Sequence, residues 1–221
     1  MRKSETELRR YTNVSGALDM VLKKRLVLLN PQSWDDRNDS HFLETYRRCC
    51  GLETVRAACF SEEAETYHHW KVYASGATGA CVIFHRKPFV QFVESTPKLR
   101  GETVTYMTKG CLQNLTELPN AKLPFIKRWA YGDEGEYRVI FEDEAACEDT
   151  QGVDLPLELI ERIVLSPWTP RPLHDSLRSI FRKVGLPKNI EVTRSDLVDT
   201  EMWKDALAAI QARQAPTPEL K

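Results

Sequence analysis

Several features that would place a chain in a familiar class are missing from these 221 residues. The six cysteines include no Cys-x-x-Cys pair, so the usual spacing of a structural zinc site is excluded. The glycines match neither the dinucleotide fingerprint nor the P-loop, so a Rossmann-type nucleotide site is excluded as well. No apolar run reaches membrane-spanning length, and the first residues contain no apolar signal sequence. We therefore expect a cytoplasmic protein with reduced cysteines and no membrane partner.

A large excess of charge of either sign is also missing. The formal net charge is −1, which argues against a globally basic nucleic-acid binder but leaves room for a local basic patch. Hydrophobic residues make up 42% of the chain, as in ordinary globular proteins. Because no linker or repeat interrupts the sequence, we predict a single α+β domain over residues 1–199, followed by a C-terminal helix and frayed tail over residues 200–221.

Hydrophobic patterning predicts a sheet of mixed or antiparallel strands with packed helices. Short apolar or alternating runs predict strands, and amphipathic stretches predict helices. The predicted strands are 8–12, 26–29, 54–61, 79–84, 103–107, 136–141, 160–166 and 190–194, and the predicted helices are 14–22, 62–74, 172–185 and 200–213. Residues 30–40 are predicted as a polar loop. The irregular alternation favours α+β over a doubly wound parallel sheet.

Two carboxylates lie at the start of one predicted strand. Glu134 and Glu136 are two residues apart, so in a strand they face the same side. Such a pair can divide its work, one group stabilising a cationic sugar-like transition state and the other acting on a nucleophile. The alternative is a charged turn that simply enters a strand.

Other candidates occur near the ends of predicted strands. Ser61 follows Cys59 and Phe60, where a serine also suits a helix cap. Trp70 and Tyr73 belong to an aromatic series with a spacing of three, which suits core packing or a stacking surface for a planar ligand.

Near the N-terminus, Arg9 and Arg10 precede Tyr11. Arginine suits bidentate contacts with phosphate, although two arginines beside a short strand can equally form a solvated edge.

Taken in order, these motifs resemble a bacterial family, the domain-of-unknown-function family numbered 2971. The resemblance covers roughly residues 8–166 and is carried by Arg10-Tyr11, residues 28–36, Cys59-Phe60-Ser61, Trp70-x-x-Tyr73, Gly79-x-Cys81, Trp129-x-Tyr131 and Glu134-Gly-Glu136-Tyr-Arg138. The chain departs from the family pattern where Asp35-Asp36-Arg37 replaces Asn-Asp-Pro. It departs again where two residues are inserted between Tyr131 and the first glutamate.

The order of Arg10, Ser61 and Glu134-x-Glu136 is also similar to that of ADP-ribosyltransferases. This likeness implies a split β-sheet core, with NAD as the substrate and no metal. By the same likeness Glu136 lies beneath the ribose and stabilises its positive charge, while Ser61 orients Glu136. Glu134 then positions the acceptor nucleophile, and Arg10 holds the diphosphate. Tyr11 is a further cofactor-binding residue.

The nicotinamide pocket implied by the likeness is shaped by Trp70 or Tyr73. The acceptor is a macromolecule, either protein or nucleic acid, and the oligomeric state stays open. Basic residues across 86–109, with Lys122, Lys127 and Arg128, form either a site for an anionic partner or a solvated surface.

As a transferase, the protein is a candidate toxin or phage-defence effector. Two alternative hypotheses for its function also stay open. The first is a non-catalytic nucleotide- or protein-binding sensor domain. The second is a metal-independent nuclease toxin that uses Glu134, Glu136 and a histidine.

Overall fold

The structure, a computed structural model, describes residues 5–74, 76–146 and 148–214. The strands are β1 (Glu7–Asn13), β2 (Arg25–Leu29), β3 (Thr54–Ser61), β4 (Gly79–His85), β5 (Leu99–Thr103), β6 (Thr105–Met107), β7 (Ile126–Arg128), β8 (Glu136–Asp143), β9 (Thr150–Asp154), β10 (Ile160–Leu165) and β11 (Glu191–Arg194). The α-helices are α1 (Val14–Lys23), α2 (Arg37–Cys49), α3 (Tyr67–Tyr73), α4 (Arg86–Ser95), α5 (Lys109–Gln113), α6 (Arg171–Lys183) and α7 (Glu201–Gln214). Short 3-10 turns include Asn120–Phe125 and Trp129–Glu134.

The main sheet has nine strands and mixed pairing, which confirms the predicted α+β class. Its path runs β11-β10-β4-β1-β3-β2-β9, with β8 paired to β3 and β5 paired to β8. The pairs are antiparallel except β10 with β11. Strands β6 and β7 form a separate two-stranded parallel sheet.

The predicted split of the sheet lies between β1 and β3. Strand β1 pairs with β4 along its whole length, and β3 pairs with β8 along its whole length. Between β1 and β3, however, the register consists of the single pair of Arg9 with Ser61. The two halves of the sheet therefore diverge from this point and leave an opening beside the end of β3.

Arg10 bridges that opening with its side chain. Its Nη1 donates to the Cys59 carbonyl oxygen (3.1 Å) and its Nη2 donates to the Val27 carbonyl oxygen (3.3 Å). Its guanidinium carbon lies 5.6 Å from the centre of the Phe60 ring. These contacts connect β1 with β3 and β2 in the region where β1 and β3 lack paired backbone hydrogen bonds.

The core lies on the face of the sheet covered by α1, α4 and α6. Alternate strand residues point into it, as the period of two requires. Leu8, Phe84, Val139 and Ile163 are each 0% exposed there. Helix α1 starts at Val14, as predicted. The Asn13 side chain caps it by accepting a hydrogen bond from the Gly16 amide.

Several sequence predictions about local structure are wrong or incomplete. The predicted strand at 103–107 is the end of β5 and the whole of β6, which belong to different sheets. The predicted loop at 30–40 contains the start of α2, whose N-cap is Asp36, and the predicted helix at 62–74 is confined to α3. Helix α4 was not predicted and has no side-chain cap bond. The sequence pattern did not predict α2 because the segment is mostly polar, with Leu43 and Tyr46 as its buried apolar residues.

The predicted C-terminal helix is present as α7, and the predicted frayed tail at 215–221 lies outside the described residues. Among the described helices, none has both the length and the apolar character required to cross a membrane.

The Arg10 bridge gives a stability prediction. In Arg10→Met the apolar stem is kept, but the carbonyls of Cys59 and Val27 lose a charged donor. We expect the free energy of unfolding to fall by about 1–3 kcal/mol. Urea unfolding should be compared with Arg48→Met, whose side chain on α2 is 61% exposed and should change stability little. Equal stabilities for the two variants would contradict the bridging role.

Candidate active site

A pocket of about 210 Å³ opens at the split of the sheet. Its lining comes from β1, β2, the segment before α2, β3, α3, the turn before β8, and β8 itself. The lining residues are Arg9, Arg10, Tyr11, Leu29, Trp34, Ala57, Cys59, Phe60, Ser61, His69, Tyr73, Glu134 and Glu136. The structure thus brings together the predicted site residues of β1, β3 and β8 with Tyr73, while Trp70 lies outside the pocket.

Glu136 is the first residue of β8 and is 2% exposed. Its Oε1 accepts a hydrogen bond from Arg138 Nε (2.6 Å), and its Oε2 accepts from Arg138 Nη2 (3.0 Å) and Lys127 Nζ (3.2 Å). Burial acts to raise the pKa of Glu136, but the charges of Arg138 and Lys127 outweigh it and hold the pKa down at about 2. Glu136 is therefore a buried carboxylate that stays ionised at neutral pH.

Arg138 fixes the position of this carboxylate. It is 0% exposed, and its Nη1 and Nη2 donate to the two carboxylate oxygens of Asp39 at 2.8 and 2.7 Å. Nη1 also donates to the Pro124 carbonyl oxygen (2.7 Å), and the guanidinium carbon lies 5.1 Å from the centre of the Trp34 ring. Because the guanidinium is planar and held on several sides, Glu136 has one favoured orientation.

Ser61 has a different contact from the one implied by the family likeness. Its Oγ donates to the Glu134 carbonyl oxygen (2.8 Å) and accepts from the Glu63 amide (3.1 Å). Ser61 is also the strand partner of Glu136 in the register of β3 with β8. It therefore holds the backbone that leads into Glu136, whereas the carboxylate of Glu136 is positioned by Arg138.

Lys127 joins the two glutamates. Its Nζ lies 2.5 Å from Glu134 Oε2, 3.2 Å from Glu136 Oε2 and 3.6 Å from Asp39 Oδ2. The assignment of Lys127 to a basic surface patch is wrong, because its side chain is 10% exposed and lies among carboxylates.

Formal charges in this cluster do not balance. Asp39, Glu134 and Glu136 are three carboxylates, and the cations in contact with them are Lys127 and Arg138. With all of these groups ionised, the cluster carries one excess negative charge, and Arg9 and Arg10 also line the pocket. Burial raises the pKa of Asp39. Burial raises the pKa of Glu134, against the opposing effects of Lys127 and the Tyr73 hydroxyl. Glu134 thus binds a proton more readily than Glu136 does.

Gly135 sets the turn between the two glutamates. Its φ is +50°, in the left-handed region that glycine adopts without steric cost. A Cβ at this position would lie 2.4 Å from Glu63 Cγ. The close approach of Glu63 and the left-handed turn together explain why a glycine separates the carboxylates.

An aromatic wall faces the carboxylates. The rings of Tyr11 and His69 are stacked, with centroids 5.2 Å apart and planes at 13°, and the Tyr73 ring lies 6.2 Å from His69. His69 Nδ1 is 2.8 Å from Thr66 Oγ1, and burial lowers the pKa of the imidazole. His69 is thus a neutral, fixed part of the wall.

Trp70 supports this wall from behind. It is 0% exposed and meets the Tyr11 ring edge-on at 5.3 Å, while its Nε1 donates to Glu65 Oε1 (2.5 Å). Trp70 therefore packs behind Tyr11, outside the pocket in which the sequence prediction placed it.

Sequence reasoning missed the positioning residues Asp39, Lys127 and Arg138, and the wall residue His69. Arg138 did carry a signal, because an arginine two residues after Glu136 in an apolar strand points to the same buried side and requires an anionic partner. Its partner Asp39 is 99 residues away, which no local pattern reveals.

Among the described residues, no group of three or more His, Cys, Asp or Glu side chains is arranged to hold a metal ion.

Comparisons with known proteins give structural matches alone. No family model matches the chain, and no curated protein matches it. Solved structures of DarT from Thermus sp. 2.9 are similar. The complex with ADP-ribosylated ssDNA has a TM-score of 0.46 at 10% identity, covering 88% of this chain and 97% of that one. The complex with NAD+ has a TM-score of 0.45 at 10% identity, covering 88% and 98%. At these scores the likeness carries no functional conclusion.

The two glutamates should affect acid stability in opposite directions. The folded pKa of Glu136 is depressed, so its contribution to stability is present above the unfolded pKa and is lost as pH falls toward about 2. The folded pKa of Glu134 is raised, so its ionisation costs stability as pH rises through that value.

Urea unfolding at pH 7 and pH 3 measures both effects. Relative to wild type, we expect the loss of unfolding free energy between pH 7 and pH 3 to be smaller in Glu136→Gln and larger in Glu134→Gln. Changes of the same sign in both variants would contradict this assignment of charge.

Proposed function

We propose that this chain is an NAD-dependent ADP-ribosyltransferase that acts on a macromolecular acceptor. One observation carries the proposal: Glu136 lines an aromatic-walled pocket as a buried carboxylate whose pKa is held at about 2 by Arg138 and Lys127. Such a site is preorganised for a substrate that becomes cationic as it reacts.

Cleavage of NAD at its nicotinamide–ribose bond has this character. As the bond breaks, its electron pair leaves with nicotinamide and the ribose gains oxocarbenium character. Glu136 lies beneath that ribose and stabilises the positive charge, and Arg138 holds it in place without reorganisation. Because Glu136 is 2% exposed, this electrostatic attraction is stronger than it would be in bulk solvent.

The remaining pocket residues bind the substrate. Arg10 faces the diphosphate, since two of its five N–H groups are committed to the carbonyls of Cys59 and Val27 and the others remain for phosphate oxygens. Tyr11 and Tyr73 present ring surfaces to the nicotinamide.

Glu134 acts on the acceptor nucleophile. It lies beside Glu136 on the pocket wall, and burial raises its pKa, so it accepts a proton more readily than Glu136 does. As the nucleophile bonds to the ribose, its proton passes to Glu134. This division of work follows from the environments, because Arg138 fixes Glu136 in the ionised form while burial favours protonation of Glu134.

The test separates binding from turnover. Glu136→Gln keeps the shape and loses the charge, so we expect it to bind NAD while nicotinamide release falls about a hundredfold or more. Nicotinamide release and calorimetric NAD binding should be measured together. Glu117→Gln, an exposed glutamate, is the matched control and should retain wild-type values for both quantities.

Two further variants assign the other roles. Glu134→Gln should impair transfer to the acceptor while leaving some hydrolysis of NAD, and Arg10→Ala should mainly weaken NAD binding. If the wild-type protein binds NAD without releasing nicotinamide, the sensor-domain alternative replaces the transferase. Cleavage of nucleic acid without NAD would instead favour the nuclease alternative.

A further inference from the structure

A second pocket lies on the other side of the buried ion cluster from the first. Its volume is about 460 Å³, and it is framed by the start of α2, by α5, and by the small sheet of β6 and β7. Small-molecule sites in proteins are clefts of about 300–1,000 Å³ with mostly apolar walls and a few polar groups. The second pocket has the size of such a site, and its lining indicates which class of molecule it fits.

The walls of the second pocket are largely apolar. Phe42 of α2, Met107 of β6 and Leu112 of α5 are half-buried, and Ile126 of β7 is 5% exposed. Trp129, in the turn after β7, is 66% exposed, so much of its indole is open to a flat molecule. A ligand that covers these side chains removes apolar surface from water, and contact between aromatic rings adds to that gain. The body of a fitting ligand is therefore apolar and, beside Trp129, flat.

The charged residues of the lining include more cations than carboxylates. Asp39 and Lys127 contribute one charge of each sign, and their charged atoms lie 3.6 Å apart. The other charged lining residues are Lys109 and Arg128, against the single carboxylate of Asp36. Interactions between exposed charges are screened over about 10 Å, so the charges nearest to a ligand's head group decide its sign. The lining therefore favours an anionic head group.

Lys109 and Arg128 are the cations that such a head group can reach. Both residues are exposed, whereas the Lys127 side chain is 10% exposed and lies among carboxylates. Lys109 is the first residue of α5, and the Arg128 guanidinium carbon lies 5.4 Å from the centre of the Tyr131 ring. The planar guanidinium of Arg128 suits a carboxylate, and the Lys109 ammonium supplies a second positive charge.

We propose that the second pocket binds a small amphiphilic carboxylate, with its flat apolar body against Trp129 and its head group at Lys109 and Arg128. The apolar walls provide most of the affinity because they remove the body of the ligand from water. The two cations provide selectivity for the sign of the head group.

The buried ion cluster separates this site from the first pocket. Lys127 lines the second pocket, and its Nζ contacts Glu134 (2.5 Å) and Glu136 (3.2 Å), which line the first pocket instead. A molecule in the second pocket therefore does not reach the proposed ribose site, and it is bound without being chemically altered. The inference is independent of the proposed transferase function.

Three probes with the same aromatic body test the site. Naphthylacetate has a negative head group, naphthylethanol a neutral one and naphthylethylamine a positive one. In calorimetric titrations of the full chain, naphthylacetate should bind about threefold more tightly than naphthylethanol, as expected for exposed charge pairs. Naphthylethylamine should bind most weakly, and the preference for naphthylacetate should shrink as the salt concentration rises.

Trp129→Ala tests the apolar part of the site. The affinities for naphthylacetate and naphthylethanol should each fall about tenfold, because both probes lose the same ring contact and buried area. Trp203→Ala on α7 is the matched control. Trp203 is 79% exposed and does not line the pocket, so both affinities should equal those of wild type.

Lys109→Gln combined with Arg128→Gln tests the head-group site. This double variant should abolish or reverse the preference for naphthylacetate and leave the affinity for naphthylethanol unchanged. Lys87→Gln, at an exposed lysine of α4 that does not line the pocket, is the control and should keep the wild-type preference.

Several results would overturn the inference. Wild type might bind no naphthylacetate in the millimolar range, or it might bind all three probes equally. Tyr73→Ala, in the first pocket, could weaken naphthylacetate as strongly as Trp129→Ala does, which would place the probe in the wrong pocket. A wild-type dimer that dissociates in Trp129→Ala would assign this surface to a second copy of the chain. None of these results bears on NAD binding or nicotinamide release.

Discussion

The neutralisation of Arg138 is the constraint on which the rest of the site depends. A guanidinium does not lose its proton in a protein, and this one is 0% exposed. Carboxylates must therefore be brought to it, and they come from the start of α2 (Asp39) and from its own strand (Glu136). Removing either partner would leave N–H groups of the buried guanidinium without their charged acceptor, which lowers stability.

This pairing links the fold to the chemistry. The ion pair of Arg138 with Asp39 joins the N-terminal part of α2 to β8. Lys127 of β7 contacts the same carboxylates. Glu136 is consequently fixed before any substrate binds. The group that would stabilise a developing cation is thus oriented by interactions that also hold the domain together, so little reorganisation is needed during reaction.

The split of the sheet provides the complementary half of the site. Strand β1 leaves β3 after the pairing of Arg9 with Ser61, and Arg10 spans the resulting gap. The backbone hydrogen-bond ladder between β1 and β3 ends at this point, and an opening lined by side chains begins. Pocket and carboxylate cluster therefore meet at the ends of β3 and β8, where two halves of one sheet diverge.

Much of this arrangement could be predicted from local sequence. Short apolar or alternating runs identified β3, β4 and β8 because buried strands need such residues whatever their neighbours are. The spacing of Glu134 and Glu136 placed both on one side of the chain for the same local reason.

The residues that were missed depend on tertiary contacts. Asp39 lies in a polar segment that resembles a loop, and its burial is explained by Arg138, 99 residues away. Lys127 resembled a surface lysine because its contacts with Asp39, Glu134 and Glu136 depend on the packing of α2 against β7 and β8. Ser61 was placed correctly at the pocket, but its hydroxyl contacts the Glu134 backbone, a detail fixed by the register of β3 with β8.

A crystal structure with a carbocyclic NAD analogue, which cannot be cleaved at the nicotinamide bond, tests the central claim most directly. We expect the analogue to lie in the pocket at the split of the sheet, with its anomeric carbon within about 4 Å of a Glu136 carboxylate oxygen, as a preorganised reaction requires. Its nicotinamide should face Tyr11 or Tyr73. An analogue bound elsewhere, or held in the pocket with its ribose turned away from Glu136, would contradict the claim.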